Sequence, residues 1–196
     1  METIGETLDI TTVGEKDKRA LLALARNSIE WFVKYGEKYS PSEFELSDMM
    51  YERCGVFVTL MKAGQLRGCI GYIEPIKEIW TAIVDNSINA AFYDPRFPPI
   101  KQHELASLSI EISLLSEVKR LDYVDVNDLL SKINRRMGLM IKKGMHSATY
   151  LPEVWEQFKD KDDFLESLCL KASLHAEAWR NAHPDISFYY TNTFKS

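Results

Sequence analysis

The sequence predicts an α+β fold with an antiparallel or mixed sheet and flanking helices, and three observations carry that prediction. Gly55 to Met61 is rich in β-branched residues, and Ala63-Gly64 then leads into a second strand-like run, Leu66 to Glu74, which is the pattern of a hairpin. Leu108 to Leu114 alternates strictly between apolar and polar residues, the period of a half-buried strand. Segments of helical period are interspersed with these strands and hairpin turns, which favours α+β over a doubly wound sheet.

The elements follow in order. Thr12-Val13-Gly14-Glu15 fits a capping box, and Leu22, Ala25, Ile29, Phe32 and Val33 recur at helical spacing, so a helix is predicted over 16–38, ended by Ser40-Pro41-Ser42. A linking segment runs to Cys54 and the hairpin follows. With Ala63-Gly64 as its turn, Val58 is expected opposite Cys69 and Leu60 opposite Arg67. Pro75 precedes a helix carrying Ile79, Ala82, Ile83, Asn86, Ala90 and Ala91 on one side. Asp94-Pro95-Arg96-Phe97-Pro98-Pro99 has too many prolines for a helix or central strand and reads as a stiff loop. After the 108–114 strand come a helix over 125–137, a strand over 138–142 turning at Lys143-Gly144 into 147–150, a short helix opened by Pro152, and a helix over 160–174. The tail, 186–194, has strand composition.

Composition excludes several classes. The 196 residues hold 45% hydrophobic and 27% charged side chains, an average globular balance. Net charge is −5, from 24 basic and 29 acidic residues, which argues against nucleic acid as the partner. The start, Met1 to Glu6, has no basic or apolar region of a signal peptide, and no apolar stretch has spanning length, so a cytoplasmic location without membrane contact is expected. Cys54, Cys69 and Cys169 have no CxxC spacing and no histidine pair lies at ligand spacing, so no metal or cofactor is called for. Arg135, Arg136, Lys142 and Lys143 form a basic patch without a phosphate loop or aromatic interleaving, which a solvated helix end and turn explain.

Leu66-Arg67-Gly68-Cys69-Ile70-Gly71 carries the functional argument. Two glycines inside a strand weaken it unless a ligand, a bulge or another backbone must come close. In the expected register the Cys69 thiol sits in a notch left by Gly71, one step of the pleat from the Arg67 guanidinium, and a fixed positive charge raises a thiol's ionised fraction. Arg67 is alternatively an anion clamp. Against this stands the ordinary behaviour of free cysteine as a small buried hydrophobe.

These residues resemble the signature of the AMMECR family. The resemblance continues through Gly55-Val56-Phe57-Val58-Thr59-Leu60, Ala90-Ala91-Phe92, Asp94 to Pro99, Ile110 to Leu115, Ala148 to Trp155 and Phe164 to Ala172, in the family's order. Ser173 departs from it, because the family usually has glycine there. The resemblance implies a single AMMECR-type domain over 1–196, of two unequal lobes with the signature near a cleft between them. It also implies partners of the Memo type, which look like non-haem dioxygenases, or of the radical-SAM type.

The remaining candidates each have two readings. Asp94 and Arg96 present a proton carrier and an anion-binding group from a preorganised loop, or they form an ion pair that fastens it. Glu111, on the polar side of the 108–114 strand, is a solvated residue or a general base. Two functions therefore compete. One is an enzyme of small-molecule or modification chemistry, with Cys69 and Glu111 catalytic and Arg67, Gly68, Gly71, Asp94 and Arg96 binding substrate. The other is a non-catalytic ligand-binding or adaptor module in which Cys69 packs and Arg67 holds an acidic group.

Overall fold

The computed structural model describes residues 9–42 and 46–196. The Met1 to Glu6 segment read above for targeting signals lies outside them. The chain is α+β and divides into two compact units, Met1–Ser116 with Asn192–Ser196, and Glu117–Thr191.

Unit 1 begins with a short 3-10 turn, Ile10–Thr12, and helix α1, Glu15–Tyr35. The expected capping box does not form. Gly14 occupies the N-cap without a side-chain bond, and Asp9 caps the preceding turn by accepting from the Thr11 amide at 3.0 Å. The helix stops earlier than predicted because Gly36 takes φ +72°, and its amide closes on the Phe32 carbonyl at 2.9 Å. Strands β1, Gly55–Lys62, and β2, Gln65–Tyr72, form the hairpin, and helix α2 covers Ile79–Phe92. A 3-10 segment, Gln102–Ser107, leads into β3, Leu108–Leu115. The sheet is completed from the far end of the chain by β8, Thr191–Lys195, giving the order β2-β1-β3-β8.

The hairpin turns where the sequence indicates, with Ala63 at φ 51° and Gly64 at φ 77°, both left-handed as a primed two-residue turn needs. Its register does not persist. Lys62 pairs with Gln65 and Met61 with Leu66, but Leu60 pairs with Gly68, Thr59 with Cys69 and Val58 with Ile70. Arg67 is the extra residue of a β-bulge, so beyond it every partner moves by one. The expected pairs Val58–Cys69 and Leu60–Arg67 are therefore wrong. Because side chains alternate, the slip transfers Cys69 from the face of Val58 and Leu60 to that of Thr59.

Val56, Val58, Leu60, Ile110, Ile112 and Leu114 form the core face and are buried. Helix α2 lies against β1 and β2, and α1 against β3 and α2. The opposite face of this sheet carries Phe57, Thr59, Cys69, Glu111 and Ser113.

Unit 2 holds β4, Lys119–Arg120, helix α3, Val126–Lys132, and the hairpin β5, Gly138–Lys143, with β6, His146–Tyr150. Helices α4, Lys161–Lys171, and α5, Ala178–Asn181, and strand β7, Asp185–Tyr189, follow. The sheet order is β4-β7-β5-β6, with antiparallel pairing throughout. Asp125 and Asp160 cap α3 and α4 by accepting from the amides three residues on. Helix α3 ends well before Met137, because the Asn134 side chain accepts the Arg136 amide and forms a turn there. The tail is two strands in different sheets, broken at Tyr190, and not one.

Candidate functional site

The signature strand β2 lies at the edge of its sheet, so half of its amides and carbonyls have no strand partner. The proline-stiffened loop supplies one. Asp94 accepts the Cys69 amide at 2.9 Å, and Arg96 Nη2 donates to the Cys69 carbonyl at 3.2 Å. The two side chains also bind each other, with Arg96 Nε and Nη2 at 2.9 and 2.7 Å from the carboxylate, which accepts the Arg96 amide too. An Asp–Arg pair thus takes the place of a neighbouring strand at Cys69. Asp94 has 1% of its side chain exposed, and the Arg96 hydrogen bond holds its carboxyl far below the usual range. A proton carrier needs to change state, and this carboxylate is locked in one. Arg96 keeps 54% of its side chain exposed.

Arg67 has another partner. Its Nε and Nη2 reach the two oxygens of Glu104 at 3.2 and 3.1 Å, and Lys62 Nζ joins at 2.8 Å. The Lys101 amide also donates to Glu104 at 3.1 Å. Arg67 and then Lys62 pull the Glu104 carboxyl down to about 2. The bulge thus turns Arg67 toward the 3-10 segment. The guanidinium that touches Cys69 is that of Arg96, on a different loop.

The two glycines have packing reasons. A Cβ on Gly68 would lie 2.1 Å from the Ala90 carbonyl of α2, so its absence lets helix and strand approach. A Cβ on Gly71 would lie 2.4 Å from the Phe57 ring, which occupies the space expected to be a notch beside the thiol.

Cys69 itself is half-buried, and the Thr59 hydroxyl donates to its sulfur at 3.2 Å. The register places Thr59 between Cys69 and Glu111, so thiol, hydroxyl and carboxylate form one row across β2, β1 and β3. Burial raises the thiols of both Cys54 and Cys169, Cys54 to about 12. The structure therefore brings Asp94 and Arg96 to Cys69 on β2, sets Glu111 two strands away on β3, and directs Arg67 and Gly68 elsewhere. Sequence reasoning missed Thr59 and Glu104. Thr59 was legible only with the bulge, and Glu104 only with the chain folded. Among the described residues no group of three or more His, Cys, Asp or Glu is placed to hold a metal ion. No helix there is long and apolar enough to cross a membrane.

A two-unit α+β chain whose edge-strand cysteine is clasped by an Asp–Pro–Arg loop defines a recognisable class of protein. Residues 22–194 match the AMMECR1 family model, and the chain belongs to that family. A protein of Methanosarcina barkeri is 37% identical over 181 residues, covering 90% of this chain and 89% of its own length. One from Methanothermobacter thermautotrophicus is 39% identical over 178 residues, covering 90% and 92%. The crystal structure of an uncharacterised protein from Pyrococcus horikoshii superposes with a TM-score of 0.83 at 33% identity, covering 90% of this chain and 89% of that one.

Proposed function

We propose that the row Cys69–Thr59–Glu111 is an enzymatic site acting on an anionic small molecule or a modified partner group, with Cys69 as nucleophile. The observation that carries this reading is the Thr59 hydroxyl donating to a half-buried sulfur. The hydroxyl fixes the sulfur on this row, beside the Asp94–Arg96 loop, where a cysteine nucleophile would meet its substrate. Arg96, positively charged and more than half exposed beside the Cys69 carbonyl, is the group for docking the anion. Glu111 is the carboxylate on the same row for taking up a proton. Arg67, Gly68, Gly71 and Asp94 support this site by positioning β2.

Alkylation of the native protein with iodoacetamide, mapped by mass spectrometry, tests the thiol. Cys69 is expected to be modified before Cys54 and Cys169, and Thr59→Val is expected to slow it. Turnover is then to be compared between the native chain and Cys69→Ser, with and without a Memo-type or radical-SAM protein, the partner classes that the family resemblance implies. Unchanged turnover in Cys69→Ser removes the nucleophile role.

The second reading, a binding or adaptor module, is favoured by a separate observation. Asp94 pairs with Arg96, and Arg67 with Glu104, inside the fold, as structural groups do. A Cys69 that stays unmodified until the protein is denatured supports this second reading.

A further inference from the structure

Unit 2 carries a cluster of cationic and hydrogen-bonding side chains that the site on β2 does not use. On β5, Leu139 and Ile141 point into the core and are fully buried. Lys143 has the same parity two residues further on, and the register sets it opposite His146 as it sets Ile141 opposite Ala148. Both side chains therefore leave the sheet on its core side, just beyond the end of the apolar core.

The facing wall comes from the end of α4. Ser173 takes φ 59°, its amide bonding to the Leu170 carbonyl and that of Leu174 to the Cys169 carbonyl, both at 2.9 Å. This turn brings Ser173, Leu174 and His175 to the same recess as Lys143 and His146, a cavity of ≈ 420 Å³. Lys143 Nζ donates to the Ala182 carbonyl, which fixes the ammonium at the wall and leaves it two further protons. Two of the chain's four histidines lie here, and among the described residues that line the recess there is no carboxylate.

We propose that this recess binds a small phosphate monoester. Its volume lies in the range of about 300–1,000 Å³ typical of small-molecule sites. Its lining supplies donors from two elements: the Lys143 ammonium and His146 imidazole from the β5–β6 hairpin, and the His175 imidazole and Ser173 hydroxyl from the end of α4. A phosphate presents three terminal oxygens to such an array, whereas a carboxylate presents two. Leu174 and Ala178 supply an apolar wall for a compact organic body.

The test titrates the full chain with phenyl phosphate, inorganic phosphate and phenylacetate, following the imidazole resonances by NMR. Phenyl phosphate is expected to shift His146 and His175 saturably and to leave His103 unmoved. Inorganic phosphate should bind more weakly, and phenylacetate most weakly. The double variant His146→Gln/His175→Gln is expected to lose at least about tenfold in affinity with its unfolding midpoint retained. Lys143→Met should weaken binding to a similar degree. Cys69→Ser should bind as the native chain does, which separates this result from the fate of the β2 site. The proposal is overturned by any of three results: no saturable shift up to about 10 mM ligand, equal affinity for phenylacetate, or unaltered binding in the double variant.

Discussion

Arg67 is one extra residue in a strand, and it decides which face of the sheet Cys69 occupies. The same residue brings Glu104 a bidentate partner. Glu104→Ala would leave the largely buried Arg67 guanidinium and the Lys62 ammonium without their carboxylate, and the chain is expected to lose about 3 kcal/mol in denaturant unfolding. The pH dependence has a definite sign. Glu104 is held at about 2 in the folded chain against an ordinary 4.5. Its contribution is therefore complete above about 4.5 and disappears as pH falls from there toward about 2. Asp94 is displaced in the same direction. Acid unfolding followed by circular dichroism should start in that window, and in Glu104→Gln its pH dependence should be shallower. Ser173 gives a prediction of opposite sense. It holds a left-handed φ of 59° where the family pattern leads one to expect glycine, so Ser173→Gly is expected to stabilise the chain by about 0.5–1 kcal/mol.

The informative element is the edge strand β2. Natural edge strands are blunted or covered, and here the cover is a pair of side chains. Asp94 takes the place of a neighbouring carbonyl and Arg96 that of a neighbouring amide. Asp94→Ala removes both, because Arg96 loses the partner that aims it. The Cys69 amide should then exchange with solvent far faster than that of Ile110, which hydrogen-exchange mass spectrometry resolves by segment. At Gly68 the constraint is packing: Gly68→Ala would place a methyl 2.1 Å from the Ala90 carbonyl. A cost of about 1–3 kcal/mol is expected, read as a lowered melting temperature. These contacts also show what was legible in advance. Residue pattern found β1 and β3 to within a residue at each end, because each has a buried face with a regular repeat, and the hairpin turn located β2 to within two. It could not find the bulge, because apolar alternation around Arg67 and Cys69 is interrupted by glycines and fits either register.

For the whole molecule, the α+β class and the tight hairpin turns followed from local chemistry. The partition of the tail did not, since Ile186 to Phe194 has one composition throughout. Only the fold sends Asp185–Tyr189 to one sheet and Thr191–Lys195 to another. Site residues divided likewise. Cys69 and Glu111 stood out by residue type, whereas Thr59 became relevant only through its place between them. The Asp94–Arg96 ion pair, one of the two readings the sequence left open, is what the structure contains.

Strand β8 has a temporal consequence. Asn192 Nδ2 donates to the Ile10 carbonyl at 2.7 Å, Thr193 shares a hydrogen bond with Ser113 at 2.9 Å, and the Ser196 amide bonds to the Ile110 carbonyl at 3.0 Å. A ribosome makes these residues after all of unit 2. Unit 1 therefore waits with one edge of β3 unpaired while the intervening segment Glu117–Thr191 is synthesised and can fold from contiguous chain. During that interval β3 offers a bare edge in a nascent polypeptide, a natural point for chaperone capture. Chains released before Asn192 should remain in that condition, with unit 1 the half of the protein that proteases cut first.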